Sequence, residues 1–136
     1  MFEQGQLEQA GAIHREVLQH RVRQDGANHP RSLAVKGDLA AILFELGRDE
    51  EVSILEQEAF ECARTHLGKT HSVTCVLAWN RALNHQRRGD SDSARRIVAD
   101  ELAWLLAEDT SGLEADQNIV RTLLAGHLHW DAATEC

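Results

Sequence analysis

Apolar residues along this chain recur at three- and four-residue steps, the spacing that places them on one face of an α-helix. The pattern predicts about six helices, over about residues 5–24, 30–46, 47–66, 71–88, 91–108 and 115–130. The predicted buried stripes of the first, third and fifth helices are Leu7, Ala10, Ile13, Val17, Leu18, Val52, Leu55, Ala59, Phe60, Ala63, Ala94, Ile97, Leu102 and Leu105. No stretch has the alternating pattern of a β-strand, so the sequence predicts an all-α fold.

The stretch 26–51 shows how each predicted helix begins and ends. It contains a turn at Asn28-His29-Pro30, an apolar stripe and a stop at Gly47. Proline is tolerated in a first helical turn, where its missing N–H would have no partner, and glycine suits a helix end. The residues predicted to face the core in this helix are Leu33, Leu39, Ala40, Leu43 and Leu46. An acidic first turn of the next helix follows directly, where the helix dipole favours carboxylates.

The unit repeats with a period of 42 residues. Forty-two positions after Gly26, His29 and Ala40 come a second glycine, a second histidine and a second alanine, at 68, 71 and 82. We predict one domain, 1–136, built from units at about 5–46, 47–88 and 89–130. A single helical hairpin is too small to bury its own apolar face, whereas stacked hairpins cover one another. The repeat therefore predicts stacked antiparallel helical hairpins.

The residues of the unit resemble a known family. His29-Pro30, Ser32-Leu33, Leu39-Ala40 and Leu46-Gly47-Arg48 resemble the 42-residue tetratricopeptide repeats of kinesin light chains. The resemblance covers about residues 5–108, and the unit at 68–109 departs from it at Ser72, Cys75 and Arg81. It implies an α-solenoid whose first helices (A) line a concave groove, and whose second helices (B) form the convex side. Such proteins bind peptide segments or partner proteins and carry no chemistry of their own.

The resemblance also implies which residues line the groove. They are Ala34, Gly37, Asp38, Ala41 and Phe44 in one A helix, and Val76, Trp79, Asn80, Leu83 and Gln86 in the next. An asparagine in such a groove offers one donor group and one acceptor to a ligand backbone, and Asn80 keeps this capacity, whereas Asp38 only accepts. Trp79, Leu83 and Phe44 favour an apolar or amphipathic segment as the ligand. In the alternative interpretation Trp79 and Leu83 pack against the adjacent helix, and Asn80 makes a structural hydrogen bond.

The amino-acid composition limits the classes of partner that the protein is expected to bind. The formal net charge of −8 opposes nonspecific nucleic-acid binding, which depends on Lys and Arg at phosphates. We interpret the local basic cluster Arg81, Arg87, Arg88, Arg95 and Arg96 as a solvated surface at helix ends. No apolar run approaches the roughly 20 residues of a membrane span, and the N-terminus does not resemble a signal peptide. Three widely spread cysteines without a CxxC pair favour reduced thiols and a cytoplasmic setting.

Catalytic and metal-binding patterns are missing from the sequence. Eight histidines occur, but without HExxH or Cys/His ligand spacing, and His127 and His129 point to different sides of a helix. No G-x-S-x-G or phosphate loop is present. We therefore predict no metal, no cofactor and no enzymatic activity. His29 and His71 recur at one place in the repeat, where a hydrogen bond that stabilises the turn explains them.

The two ends of the chain raise a second hypothesis for its function. The pattern begins with a B-type helix and closes with an apolar A-type helix over about 115–130, whereas solenoids usually have polar capping repeats. One reading is that 1–136 is cut from a longer array. In the other, the end helices dock on other copies of the chain, which would make the protein a structural or self-assembly element.

Overall fold

The computed structural model describes residues 4–107 and 110–126, and every regular element in these ranges is helical. This confirms the predicted all-α fold. The α-helices are α1 (Gln4–Asp25), α2 (Pro30–Glu45), α3 (Asp49–His66), α4 (Ser72–Arg87), α5 (Ser91–Ile97), α6 (Trp104–Ala107) and α7 (Ala115–Gly126). A π-helical turn (Val98–Leu102) separates α5 from α6, and a 3₁₀ turn (Thr110–Gly112) precedes α7. The predicted helix ends at 108–109 and 127–130 lie outside the described residues.

The chain forms two compact units, residues 1–68 and 69–136. In the first unit α2 packs against both α1 and α3. Its core contains Leu39, Ala40, Leu43 and Val52, each at most 2% exposed, with further apolar side chains packed around them. Leu33 is buried as well, so four of the five residues predicted for the α2 stripe are buried, whereas the fifth, Leu46, is half-buried and follows the helix. Division into three 42-residue units within one domain stays a prediction.

In the second unit α4 packs against α5, the π turn and α7. Ala94, Leu102 and Leu105 are fully buried, as the stripe predicts. The π turn closes with a hydrogen bond from the Ala103 N–H to the Val98 carbonyl at 2.8 Å. Two backbone carbonyls near this irregular stretch accept hydrogen bonds from side chains. Trp104 Nε1 donates to Glu101 O at 2.9 Å, and Arg121 Nε donates to Leu105 O at 3.1 Å. The second of these bonds ties α7 to α6.

Four glycines end the long helices at equal intervals. Gly26, Gly47, Gly68 and Gly89 lie 21 residues apart, and each has φ between +77° and +96°. Only glycine adopts this left-handed conformation without a steric cost from Cβ. The interval divides the 42-residue repeat into two halves of 21 residues, each containing one helix. The glycines thus fix where each helix stops.

The recurring histidines cap the A helices. His29 Nδ1 accepts a hydrogen bond from the Arg31 N–H at 3.1 Å, and His71 Nδ1 accepts one from the Val73 N–H at 3.1 Å. Both histidines are extended N-cap residues, and each bond satisfies a donor that the first turn of a helix leaves free. This is the turn-stabilising role that the sequence predicted for the two side chains.

Helix α1 departs from the prediction. Its predicted stripe includes Ile13 and Val17, but these side chains are 51% and 38% exposed, and Gly11 is the buried residue of the helix. A Cβ at Gly11 would meet the Ile42 side chain at 3.7 Å, so α1 turns this face to α2. The spacing correctly indicated a helix, and three of the five predicted residues, Leu7, Ala10 and Leu18, are half-buried, with Leu18 packed against the core. Leu55 and Ile97, predicted as buried, are half-buried.

Replacing the capping imidazole tests this account of the helix starts. We expect His29→Ala to lower the free energy of unfolding by about 1 kcal/mol, because the Arg31 N–H loses its acceptor. His29→Asn supplies an alternative acceptor at the same place and is expected to recover most of the loss. Urea denaturation followed by circular dichroism measures both. Equal stability of wild type and His29→Ala would contradict the capping role.

Candidate functional site

The exposed residues of α2 form a single line along the helix. They are Arg31, Ala34, Asp38, Ala41 and Glu45, and we call this set strip 1. Their spacing of three, four, three and four residues keeps them on one face. The remaining residues of α2 are buried or half-buried because the helix packs against both α1 and α3. Strip 1 is thus the solvent-exposed surface of α2.

The same positions one repeat later form the corresponding line on α4. They are Val73, Val76, Asn80, Leu83 and Arg87, and we call this set strip 2. Arg87 is exposed and the other four side chains are half-buried. Strip 2 differs from strip 1 in chemistry, since three of its five residues are apolar where strip 1 has Arg31 and two alanines. The repeat therefore conserves the place of the surface and changes its character.

The predicted site residues fall into three groups. Ala34, Asp38 and Ala41 lie on strip 1, and their counterparts Val76, Asn80 and Leu83 lie on strip 2. Phe44 and Gln86, also equivalent, are half-buried beside the strips. Gly37 and Trp79 occupy one equivalent position and are both buried, Trp79 with 5% of its surface exposed. The structure thus places Trp79 in the core of its unit.

Four residues of the strips were not among the predicted ones. Arg31 and Glu45 end strip 1, and Val73 and Arg87 end strip 2. Each lies three or four residues beyond the nearest predicted strip residue, so extending the helical step in both directions would have found them. The implied positions covered the middle of each helix and omitted its ends.

Asp38 is the charged group at the centre of strip 1. Although the residue is exposed, partial burial of its carboxyl against the helix pair raises the pKa of Asp38, and the neighbouring His14 opposes this only in part. No hydrogen bond or ion pair reaches Asp38 from the described residues. His14 directs its Nδ1 to the Ala10 carbonyl at 2.9 Å instead.

At the position equivalent to Asp38, the second unit has an uncharged polar residue, Asn80. Asn80 is half-buried, and no described residue forms a hydrogen bond with its amide, which leaves one donor group and one acceptor. Gln86 Oε1 is enclosed and accepts no hydrogen bond from the described part of the chain. Asn80 is therefore the polar group on strip 2 that can pair with a ligand backbone.

The basic cluster consists of α4 and α5 side chains with local contacts. Arg95 pairs with Asp92 on the same helix, and His85 Nδ1 lies 3.4 Å from Asp90 Oδ2. Burial, followed by the charge of Arg88, lowers the pKa of His85. Hydrogen bonds from Ser93 lower the pKa of Asp90, which caps α5. Within the cluster, Arg95 is thus paired with a carboxylate of its own helix.

Other kinds of site find little support in the described ranges. No three of the His, Cys, Asp and Glu side chains there come together as a metal-binding group. None of the helices described is long and apolar enough to cross a membrane. The two described cysteines differ, since Cys75 is 1% exposed while Cys62 is half-buried, with its Sγ 2.8 Å from Asn28 Oδ1.

These features define a class of protein. The chain contains helical hairpins made of two 21-residue halves, and a histidine caps the start of α2 and of α4. This is the architecture of helical repeat proteins. Residues 1–65 match the family model described as tetratricopeptide repeat, so this part of the chain consists of tetratricopeptide repeats. Proteins of this family are generally protein–protein interaction modules without enzymatic activity. Searches of curated proteins and of solved structures found no match.

The environments of the two described cysteines predict different reactivity. Burial and, secondarily, Glu101 raise the pKa of the Cys75 thiol to about 11. Only about a thousandth of it is then ionised at pH 8, and thiolate is the reactive form. In a Cys136→Ser chain we expect an aromatic disulfide reagent to label one thiol rapidly in the folded protein and the second only in denaturant.

The additional variant Cys62→Ser identifies the reactive thiol. In the Cys136→Ser background it should abolish the rapid phase and leave the slow one. Two thiols that react equally fast in the folded protein would contradict the burial of Cys75.

Proposed function

We propose that this protein binds a peptide or helical segment of a partner protein along strips 1 and 2, and that it carries no chemistry of its own. The observation that supports this most directly is the single exposed line of α2; at the same positions of α4, Arg87 is exposed and the other four residues are half-buried. Each strip serves as a contact surface by itself, and the proposal requires no particular arrangement of the two units.

Each strip, taken by itself, offers a different kind of contact to such a segment. On strip 1, Ala34 and Ala41 have the smallest side chains after glycine, so a ligand backbone can approach α2 closely. On strip 2, Val76 and Leu83 provide apolar surface on either side of Asn80. An apolar side chain of the ligand would pack there, while the Asn80 amide pairs with its backbone. An amphipathic segment meets both requirements.

In this proposal Trp79 packs in the core next to strip 2 and does not contact the ligand. Its side chain is 5% exposed, and truncating a buried tryptophan to alanine typically costs about 3–5 kcal/mol. A Trp79→Ala variant would therefore lose binding through lost stability, whatever the ligand contacts. Substitutions at exposed residues of the strips give a cleaner test.

A matched pair of alanine substitutions tests whether strip 1 binds peptide. Ala41 and Ala12 are both exposed on helices of the first unit, but only Ala41 lies on the strip. We expect the wild-type protein to enrich sequences from a display library of random 12-residue peptides. The long side chain of Ala41→Arg would cover the strip and weaken the selected peptides at least about tenfold, a cost of about 1.4 kcal/mol.

Ala12→Arg makes the same substitution on α1 and should bind the selected peptides as wild type does. Fluorescence anisotropy with labelled synthetic copies of the peptides measures all three proteins. Equal affinities for the two variants, or no enrichment of any sequence by the wild type, would refute binding at strip 1.

Self-association is a second candidate function, favoured by exposed apolar pairs on two helices. Ile13 and Val17 lie one turn apart on α1, and Ile119 and Leu123 lie one turn apart on α7, with 57% and 41% of their surfaces exposed. The α7 pair borders a shallow depression with Asn118 and Thr122. Neighbouring exposed apolar side chains of this kind are typical of surfaces that bind another protein. A second copy of the chain is the occupant in this proposal.

Light scattering at increasing protein concentration tests this second candidate. If α7 mediates the contact, wild type should form dimers or larger species, and Ile119→Ser/Leu123→Ser should remain monomeric because the apolar contact is lost. Ile54→Ser is the matched control, since Ile54 is 54% exposed on α3 and should not alter the assembly. A wild type that is monomeric throughout would exclude the candidate.

A further inference from the structure

The carboxylate of Asp38 is open to a ligand on both sides along the helix. One turn before it and one turn after it lie Ala34 and Ala41, both exposed and both too short to cover it. It forms no hydrogen bond or ion pair with the described residues. The centre of strip 1 is thus an accessible anionic acceptor on a helix whose other faces are packed.

The described cations around this helix are directed elsewhere. Lys36, two residues before Asp38, donates to Glu58 at 3.2 Å. Arg48 contacts both carboxylate oxygens of Glu8, at 2.6 and 2.8 Å. His14 is the titratable group that faces Asp38 from α1, and its Nδ1 is engaged with the Ala10 carbonyl. None of the described Lys and Arg side chains of the first unit therefore forms an ion pair with Asp38, and His14 is the charge that acts on it from α1.

The charge of Asp38 is a cost to the folded chain. Burial raises its pKa above the ordinary value, so the folded state binds the proton more tightly than the unfolded state does. By linkage, the stabilisation from this shift is present at acidic pH and is lost as the pH rises through the folded-state pKa. At neutral pH the ionised carboxylate opposes folding, and a cation placed beside it would offset this cost. Asp38→Asn is accordingly expected to fold.

We propose that strip 1 selects segments that carry a basic side chain, lysine or arginine, which pairs with Asp38. This inference rests on the proposed peptide binding and specifies the chemistry of the partner at one position. The surrounding charge agrees with it, since residues 1–68 contain twelve Asp and Glu against seven Lys and Arg. Strip 2 has the neutral Asn80 at the equivalent position, so the preference belongs to strip 1 alone.

The inference is tested by the composition of selected peptides. Wild type, Asp38→Asn and Glu16→Gln are each used to select from the same library of random 12-residue peptides. Glu16→Gln removes one carboxylate from an exposed site on α1 of the same unit and serves as the control for net charge. We expect Lys and Arg to be enriched at one position by wild type and by Glu16→Gln, and not by Asp38→Asn.

Synthetic peptides then separate the side chain from other sources of positive charge. The best wild-type sequence is made with an acetylated N-terminus, once with its basic residue and once with norleucine in that place. Binding of the basic peptide should be about threefold to fivefold weaker with Asp38→Asn, as for a solvent-accessible ion pair. The norleucine peptide should bind wild type and Asp38→Asn equally, so the cycle isolates the pair.

Each remaining outcome has a distinct meaning. Enriched peptides without a basic preference, or a preference that Asp38→Asn retains, would overturn the inference and leave peptide binding at the strips intact. Equal loss of affinity in Glu16→Gln and Asp38→Asn would also overturn it, because the effect would then come from net charge. No enrichment by the wild type would refute the inference together with the proposed function.

Discussion

Packing of α2 between two other helices is the constraint on which the first unit depends. A helix that buries its apolar residues against one neighbour keeps a broad polar face, but α2 contacts both α1 and α3. The exposed residues of α2 therefore form a single line, with one residue at each helical turn, from Arg31 to Glu45. This packing both supplies the core of Leu39, Leu43 and Val52 and determines which side chains any partner can contact. Stability and recognition are therefore assigned to different faces of the same helix.

The ends of the helices set the register of these faces. A left-handed glycine every 21 residues stops each of the first four helices, and a histidine acceptor starts each A helix. Because these signals recur at fixed intervals, the strip positions of α2 and α4 are exactly one repeat apart. An insertion of a single residue within a helix would turn the strip by about 100° relative to the buried face. The fixed spacing of the turns thus keeps the strip residues in the same orientation relative to the buried face of their helix.

The sequence predicted the parts of this fold that depend on local signals. Helix bounds at the glycines, the caps at His29 and His71, and the stripe of α2 all follow from residue type and spacing. Exposure at Ile13 was not predictable in the same way, because it depends on which side of α1 meets α2, and the buried residue there is Gly11. The burial of Trp79 likewise reflects the space available around α4. Side-chain size indicates that a residue can fill a core, but the neighbouring elements decide whether it does.

Comparing the two strips separates what the repeat fixes from what the residues add. Position 38 on α2 and its counterpart 80 on α4 occupy the same place in the repeat, yet one holds a carboxylate and the other an amide. The two groups are nearly the same size, so the difference between them is charge and hydrogen-bonding capacity. A carboxylate can only accept, and it pairs best with a cationic donor, whereas an amide pairs with a backbone in either direction. The carboxylate at 38 and the amide at 80 therefore give equivalent positions of the repeat different charge and hydrogen-bonding capacity.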